Sequence, residues 1–473
     1  MESVPLLAYR PGKKRALARE AVEESKKLWG VVGPAMFMRL VLYSFDIVSQ
    51  AFAGHIGDLE LAAFSIASTV VSGLTFGLLL GMASALETLA GQAFGAKQYA
   101  MLGIYLQRSW IVLLLSAVLL VPMYVFAAPL LAAMGQPAEV ARLAGELGVC
   151  MLPMHFGFAV LLPINKFLQS QGKNWVMAAT ALASFPLHVA ATCLLVVRFR
   201  FGVLGAAMAL NVSWGLSLVV QLAYVVGGGC PLTWTGFSPL AFADLCGFIK
   251  LSLSSGVMVC LENSYYKVLL LLTAHLKNSQ LAVDALSIWY CMSFQGWEMM
   301  IPMAFLAGTG VRVSNELGAA NGKGARFATI VSTTTSFLIG LFFSLLALAF
   351  HDKMALVVSS SKAVMDAVDN LSVLLAISIL LNGVQPVLSG VAVGSGWQAL
   401  VAYINVGSYY IIGVPVGLLL GWLFNLGVLG IWAGMIGGTA VQTIILAYIT
   451  MRCDWDEEAS KASKHIQRWA GSK

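Results

Sequence analysis

Twelve apolar runs, each long enough to cross a lipid bilayer, restrict this sequence to a membrane fold. A helix needs about 20 predominantly apolar residues to span the hydrocarbon core. Only 11% of the 473 residues are charged, whereas a soluble domain has about 25%. We therefore expect an all-α membrane protein with twelve transmembrane helices. The predicted spans cover residues 30–53, 62–90, 104–128, 145–164, 175–197, 203–226, 247–275, 283–309, 328–350, 371–393, 399–422 and 427–450.

Basic residues are distributed unequally between the two sides of the predicted bundle. An even number of spans places both termini on one side, which has 19 Lys and Arg residues against six on the other. Positive charge is retained in the cytosol, so both termini are expected to be cytosolic. The net charge of +6 lies mainly in the two tails, which argues against a nucleic-acid partner. Glu2 to Leu7 match an acidic dileucine pattern, which favours the vacuolar membrane, with the plasma membrane as the alternative.

Short motifs recur along the chain at a nearly constant offset. Residues 200–205 resemble residues 425–430 at an offset of 225, and residues 91–96 resemble 314–319 at an offset of 223. This offset covers six spans, so the sequence predicts two parallel repeats with a cleft between them near the middle of the bilayer. The predicted domains are an N-terminal tail (1–27), an N-lobe (28–228), an inter-lobe loop (229–246), a C-lobe (247–452) and a C-terminal tail (453–473).

The sequence lacks the motifs of the main pump and enzyme classes. The glycines at 318–324 do not have the spacing or the hydroxyl of a phosphate-binding loop. Neither metal-ligand spacings of Cys and His nor protease and hydrolase signatures occur. We therefore expect no metal, no enzyme activity and no cofactor besides a proton gradient. The function class that remains is transport, either driven by an ion gradient or passive.

Carboxyl groups within the spans are candidates for proton coupling. Glu262 and Glu298 lie 17 and 19 residues from Ser279, the middle of the hairpin between spans seven and eight. At 1.5 Å per residue they lie within about 3 Å of each other in depth. Two close carboxylates in a low dielectric cannot easily both ionise, which favours proton uptake by one. Lys267 is placed to keep one of them charged, and Asp46 is a further candidate; the alternative is a purely structural Lys–Glu pair.

Span ten carries a polar face. Asn382, Gln385 and Ser389 share one side of the helix, and Pro386 is expected to kink it. Such a face suits a substrate or coupling site, and the alternative is polar contact between helices. The other predicted cavity residues are Asn263, Tyr266, Lys267, Tyr290, Gln295 and Tyr409.

Several motifs resemble those of plant MATE (multidrug and toxic compound extrusion) transporters. They are Val-Cys-Leu-Glu at 259–262, Arg-Val-Ser-Asn-Glu-Leu-Gly-Ala at 312–319 and Leu-Ser-Gly-Val-Ala-Val-Gly-Ser-Gly-Trp-Gln at 388–398. The resemblance runs from about residue 25 to 453. Within the family, the chain is similar to the subgroup that includes transparent-testa flavonoid transporters. The resemblance implies a twelve-helix, two-lobed fold that exchanges protons for organic cations, alkaloids, flavonoids or other secondary metabolites.

The resemblance assigns the proton to Glu262, but the chain departs from the family nearby. Many members have an Asp where this chain has Asn382, and an amide cannot titrate, so we expect Glu298 to share the role. The predicted function is proton-coupled antiport of small organic molecules by a monomer in the lipid bilayer. The alternative is a passive channel, or a flippase for lipids or glycosides, without proton coupling.

Overall fold

The protein is described from a computed structural model that covers residues 11–273, 281–358 and 362–470. Within these ranges the regular elements are helices, with no strand. The first half contains α1 (Pro11–Ile56), α2 (Asp58–Ile66), α3 (Gly73–Gly95), α4 (Tyr99–Val125), α5 (Ala127–Ala133), α6 (Ala138–Cys150), α7 (Leu152–Ser170), α8 (Asn174–Thr192) and α9 (Gly202–Tyr224). The second contains α10 (Leu245–Thr273), α11 (Leu281–Gly318), α12 (Gly322–Val358), α13 (Lys362–Asn382), α14 (Gln385–Ser395), α15 (Gln398–Asn405), α16 (Val414–Leu418), α17 (Gly427–Arg452) and α18 (Trp455–Ala470).

Short π-helical segments extend several of these helices without ending the span. In the first half they cover Ala67–Ser72, Cys193–Arg198 and Val225–Gly229. In the second half Val406–Gly413 and Leu419–Leu423 join α15 and α16 into one run that ends before α17. Because the backbone hydrogen bonds stay within the segment, these runs satisfy the demand that lipid places on a spanning chain.

The helices match the predicted spans. Among the described residues, ten helical runs are long and apolar enough to cross a membrane, and eleven if α6 and α7, which are bent by 48°, form one span. The helix α11, which carries Glu298 and Arg312, occupies the position of predicted span eight. The predicted all-α bundle is therefore confirmed.

Span ten is interrupted where Pro386 predicted a kink. Helix α13 ends at Asn382, and α14 begins at Gln385 with the proline in its first turn. Proline lacks an N–H and its ring clashes with the carbonyl four residues earlier, so an undistorted helix cannot pass through it. It is tolerated in a first turn, where that N–H would have no helical partner.

The two halves meet along α3 of the first half and α10 and α11 of the second. The repeated motifs at 91–96 and 314–319 pack against each other in this contact. A methyl group on Gly95 would overlap the backbone carbonyl of Asn315, and one on Gly318 would overlap the first motif in the same way. Small residues therefore let the two backbones approach closely.

Both described ends of the chain lie at one end of the bundle, called here the terminal end. Residues 11–27, which the sequence assigned to the N-terminal tail, are helical and continuous with the first predicted span. Glu24 accepts hydrogen bonds from Arg312 Nε and Nη2 at 2.7 and 2.9 Å. Residues 1–10, which include the dileucine pattern, lie outside the described residues.

The C-terminal segment forms an amphipathic helix at the same end. Helix α18 packs on α11 and α12. Its buried side chains are Trp455, Ala459, Ala462 and Ile466. The indole Nε1 of Trp397 donates a hydrogen bond to Glu458 Oε2 at 3.1 Å. This helix is held to the terminal end by one apolar stripe, as expected for an amphipathic surface helix.

We expect the Trp455→Ala substitution to release α18, because the indole is 7% exposed and anchors the stripe. Truncation of a buried Trp costs about 3–5 kcal/mol in a core. Limited trypsin digestion should then cleave faster after Lys461, which lies on the exposed face of α18. The Ser460→Ala variant, on the same exposed face, is the control and should match the parent protein. Unchanged cleavage of the Trp455 variant would contradict the docking of α18.

Candidate functional site

A cavity of about 420 Å³ lies between the two halves of the protein. Its wall is formed by α1, α3 and α7 of the first half and by α10, α11, α13, α14 and the segment Val406–Gly413 of the second. Small-molecule sites occupy about 300–1,000 Å³. Methionine side chains adapt to irregular ligands, and four of them line this wall: Met258, Met299, Met300 and Met303.

Glu262 lies in the wall of this central cavity and is held by four neutral donors. Its Oε1 accepts hydrogen bonds from Gln385 Nε2 at 3.2 Å and Ser389 Oγ at 3.3 Å. It also accepts from Asn405 Nδ2 and Gln442 Nε2, each at 3.4 Å. An ionised carboxylate can only accept, which fits this set of donors. Because all four donors are neutral, none of these contacts is an ion pair. Protonation of Glu262 would therefore leave no cation without its counter-ion.

A further set of hydrogen bonds orients the donors of Glu262. Gln442 Nε2 donates to Asn405 Oδ1 at 2.7 Å, and Tyr409 OH donates to Gln442 Oε1 at 2.7 Å. The Tyr409 ring stacks on Tyr265, with 4.2 Å between the ring centroids. Tyr265 OH in turn donates to the carbonyl of Met435 at 3.1 Å. The amides around Glu262 are therefore fixed by packing as well as by the carboxylate.

The structure brings most of the predicted site residues together. Those that line the central cavity with Glu262 are Asn263, Lys267, Gln295, Asn382, Gln385, Pro386 and Tyr409. Tyr266 and Tyr290 belong to α10 and α11, but their side chains lie outside the described residues. Their assignment to the cavity stays a prediction.

Glu298 occupies a different environment from Glu262. Its side chain is 5% exposed and lies beside Asn382. Its Oε2 atom has no hydrogen-bond partner within the described ranges. Asn382 is thus next to Glu298 and also lines the central cavity. The two glutamates have separate neighbours, so any shared role would involve Asn382 or a change in structure.

Asp46 lines an adjoining cavity of about 220 Å³ in the first half. Arg39, Lys166 and Phe76 line both cavities and therefore stand between them. Asp46 also borders a smaller cavity of about 120 Å³. The structure thus places Asp46 apart from the cluster around Glu262.

Lys267 has a partner that the sequence did not predict. Its Nζ donates to the carbonyl of Thr69 at 2.8 Å. Thr69 belongs to the π-helical segment Ala67–Ser72 of the first half. The expectation that Lys267 holds a carboxylate charged is therefore wrong for this structure, since the ammonium group bridges the two halves instead.

Other residues of the site were missed in the sequence. Lys166, which the charge count placed in a loop, lies in α7, is buried and forms an ion pair with Glu87. Asn405 and Gln442 complete the donors to Glu262. The available signal was the rarity of amides in apolar spans, where such groups usually contact one another or a cavity.

Hydrogen bonds between the halves close the terminal end of the cavity region. Thr88 Oγ1 donates to the carbonyl of Val393 at 2.5 Å, and Gln398 Nε2 donates to Thr88 Oγ1 at 2.7 Å. Gln92 Nε2 donates to the carbonyl of Gly394 at 3.2 Å. These bonds join α3 to α14 and α15, beside the glycine contact with α11. This end is therefore both tightly packed and hydrogen-bonded.

Comparisons with known proteins agree with this architecture. The MatE family profile matches residues 34–194 and 255–419, once in each half. Protein DETOXIFICATION 27 of Arabidopsis thaliana is 58% identical over 450 residues, which cover 95% of this chain and 92% of that protein. Protein DETOXIFICATION 26 of Arabidopsis thaliana is 57% identical over 470 residues, which cover 99% and 96%.

A solved structure shows the same fold. The crystal structure of the eukaryotic MATE transporter AtDTX14 has a TM-score of 0.89 and 32% identity, and it covers 94% of this chain and 99% of its own. The relatives are transporters and not enzymes. Membership of the transparent-testa subgroup stays a prediction. The two profile matches, the close relatives and the shared twelve-helix fold show that this chain belongs to the MatE family of membrane transporters.

Proposed function

We propose that this transporter exchanges protons for small organic molecules, with Glu262 as the group that binds the proton. The observation that supports this most directly is the position of Glu262 in the wall of the central cavity among four neutral donors. Ionisable groups at membrane depth are costly and usually mark ion pathways. A carboxylate stabilised only by neutral groups can take up a proton and release it again.

The donors of Glu262 offer a route from proton binding to movement. They come from three helices: α14 carries Gln385 and Ser389, α15 carries Asn405, and α17 carries Gln442. A hydrogen bond to a charged group contributes about 1.5–3 kcal/mol, against about 0.5–1.5 kcal/mol for a neutral one. Protonation of Glu262 therefore weakens the attachment of α10 to these helices. A difference of a few kcal/mol is enough to shift a two-state equilibrium.

The break between α13 and α14, just before Pro386, is where we expect the helices to move relative to each other. Gln385 begins α14 directly after the interruption of span ten, so α14 can reorient relative to α13 when its bond to Glu262 changes. Helix α14 also contributes the carbonyls of Val393 and Gly394 to the closed terminal end. We therefore infer that the charge of Glu262 is coupled to the opening of that end.

The charge distribution and the dileucine pattern support a proposal for the cellular setting. We propose that the terminal end is cytosolic, that the protein works as a monomer, and that the pattern at Glu2 to Leu7 directs it to the vacuolar membrane. The relatives are called DETOXIFICATION proteins, which supports removal of unwanted organic compounds from the cytosol.

The Glu262→Gln variant tests the proposed coupling. The amide preserves the shape of the side chain but cannot exchange a proton, so we expect uptake driven by an imposed pH gradient to fall at least about tenfold in proteoliposomes. Exchange of labelled for unlabelled substrate, which needs no net proton movement, should persist. The control is Glu146→Gln, since Glu146 is on the surface and pairs with Arg142. Wild-type pH dependence in the Glu262 variant, or flux unaffected by collapse of the gradient, would exclude this mechanism.

The roles proposed for Glu298 and Asp46 are tested separately. If Glu298 takes part in coupling, Glu298→Gln should shift the pH at which transport is half-maximal without abolishing substrate binding. Asp46→Asn should do the same if the cavity of the first half also carries protons. Both variants need melting temperatures close to the parent protein. A wild-type pH profile removes the residue concerned from the mechanism.

The contact at the terminal end is tested by substitution of Gly95. A leucine there cannot fit against the carbonyl of Asn315, so the halves should fail to close at this end. We expect a loss of transport and faster labelling of a Ser84→Cys reporter in the cavity by an impermeant maleimide added on the terminal side. The control is Gly215→Leu, because no atom lies within 4 Å of a Cβ at that glycine. Normal transport with slow labelling would show that closure does not depend on this contact.

A further inference from the structure

We propose that the substrates of this transporter are organic anions, and that Arg39 and Lys166 bind the acidic group at the partition between the central cavity and the 220 Å³ cavity. The inference rests on the proposed transport function, because it names the substrate class for the same cavity. The expected ligand is an apolar, ring-containing molecule with one carboxylate or comparable oxyanion.

The positions of the two cations support this site. Arg39 comes from α1 and Lys166 from α7, and both line each of the two cavities. The cavities also share Phe76, Leu80 and Met300. A molecule in the central cavity therefore meets two basic groups and apolar surface at the same place. These three apolar side chains suit the flat hydrocarbon body of a ligand, and the two basic groups suit the charged end of that ligand.

The local charges do not balance. Lys166 Nζ donates to Glu87 Oε2, and Glu87 is also the acidic group that acts on Arg39. One carboxylate thus serves two cations. The Nε atom of Arg39 is buried and has no hydrogen-bond partner in the described part of the chain. A guanidinium keeps its charge and offers five N–H donors, so burial without enough acceptors is costly.

A ligand oxyanion would supply the missing charge and acceptors. The planar guanidinium fork matches a carboxylate with two parallel hydrogen bonds. Two other acidic residues line the cavities, but neither is described as a partner of Arg39. Glu262 accepts hydrogen bonds from its four neutral donors. Asp46 lies seven residues from Arg39 on α1, a rise of roughly 10 Å.

A third basic group favours the same ligand class. Lys267 lines the central cavity from α10, with its ammonium group at the carbonyl of Thr69. Three basic residues and one acidic residue, Glu262, line this cavity, so an organic cation would meet more positive than negative groups on its walls. The organic cations named in the sequence-based prediction are therefore the less favoured substrates.

This assignment separates the substrate charge from the proton. The acidic group would lie at Arg39 and Lys166 in the first half, whereas Glu262 belongs to the second half. The two ligands then need not compete for one carboxylate. Their exchange would be coupled through the relative movement of the halves, as the attachment of α10 to α14, α15 and α17 allows.

The test uses three fluorescent coumarins that share one ring: a carboxylate, its uncharged amide and a trimethylammonium derivative. Binding to the purified full-length protein is measured by fluorescence, and transport is measured in proteoliposomes under a pH gradient. We expect the carboxylate to bind at least about tenfold more tightly than the other two. A preference for the ammonium compound, or equal affinity for all three, would overturn the inference.

Variants of Arg39 show whether this residue recognises the charge. Arg39→Gln should weaken carboxylate binding at least about tenfold and leave amide binding unchanged, and Arg39→Lys should restore part of the affinity. The control is Arg108→Gln, because Arg108 donates to the carbonyl of Leu240 away from these cavities. Equal losses for the carboxylate and the amide would indicate a structural role for Arg39 and contradict the assignment.

A second variant keeps the test decisive if Arg39 is needed for folding. Lys166→Gln removes one of the two cations and leaves Glu87 as the counter-charge of Arg39, so no buried charge is left alone. It should also lower the affinity for the carboxylate selectively, and no change would count against Lys166. Selective carboxylate binding without any transport would support the anion site and refute the proposed transport. Transport of the amide or the ammonium compound without a carboxylate preference would refute only the anion site.

Discussion

The cost of placing charge and unpaired polar groups in hydrocarbon constrains every part of this protein. It forces the spanning segments into helices, which satisfy their own backbone, and it removes charge from lipid-facing surfaces. The ionisable groups that remain within the spans must then face a cavity or another polar group. Glu262 does both, since it lines the central cavity and accepts from Gln385, Ser389, Asn405 and Gln442. The same constraint makes the surplus positive charge at Arg39 and Lys166 informative.

The duplication of the chain has a structural consequence at the terminal end. The motifs at 91–96 and 314–319 are related in sequence, and they face each other across the two halves. Their glycines allow backbone contact that side chains would prevent. A contact between related surfaces of this kind depends on close fit and a few hydrogen bonds rather than on a large apolar core, which is compatible with the opening proposed for this end.

The two halves differ in chemistry although they share a fold. In the second half a carboxylate accepts hydrogen bonds from three neutral amides and one hydroxyl. In the first half Glu87 is committed to Lys166, and Arg39 adds a further positive charge. As proposed above, the cavity between the halves has a proton site on one wall and an anion site on the other. Substrate and coupling ion can therefore act on different halves of one moving structure.

Single residues show how far sequence reasoning reaches. Pro386 predicted the interruption of span ten because a ring without an N–H acts locally on its own helix. Glu262, Asn382 and Gln385 were predicted as site residues because polar groups are rare in apolar spans, and all three line the central cavity. The partner of Lys267 could not be predicted, since the carbonyl of Thr69 comes from a distant segment and leaves no mark in a side-chain pattern.

By itself, the sequence determined the helical membrane fold, the duplication and the family, because these depend on hydropathy, length and local motifs. Only the tertiary structure decided which polar groups share a cavity. It separated Glu298 from Glu262, moved Lys166 from a predicted loop into a buried ion pair, and placed Arg39 between two cavities. Helix rotation and the approach of distant segments set these neighbours, and neither is encoded in the spacing of residues along one span.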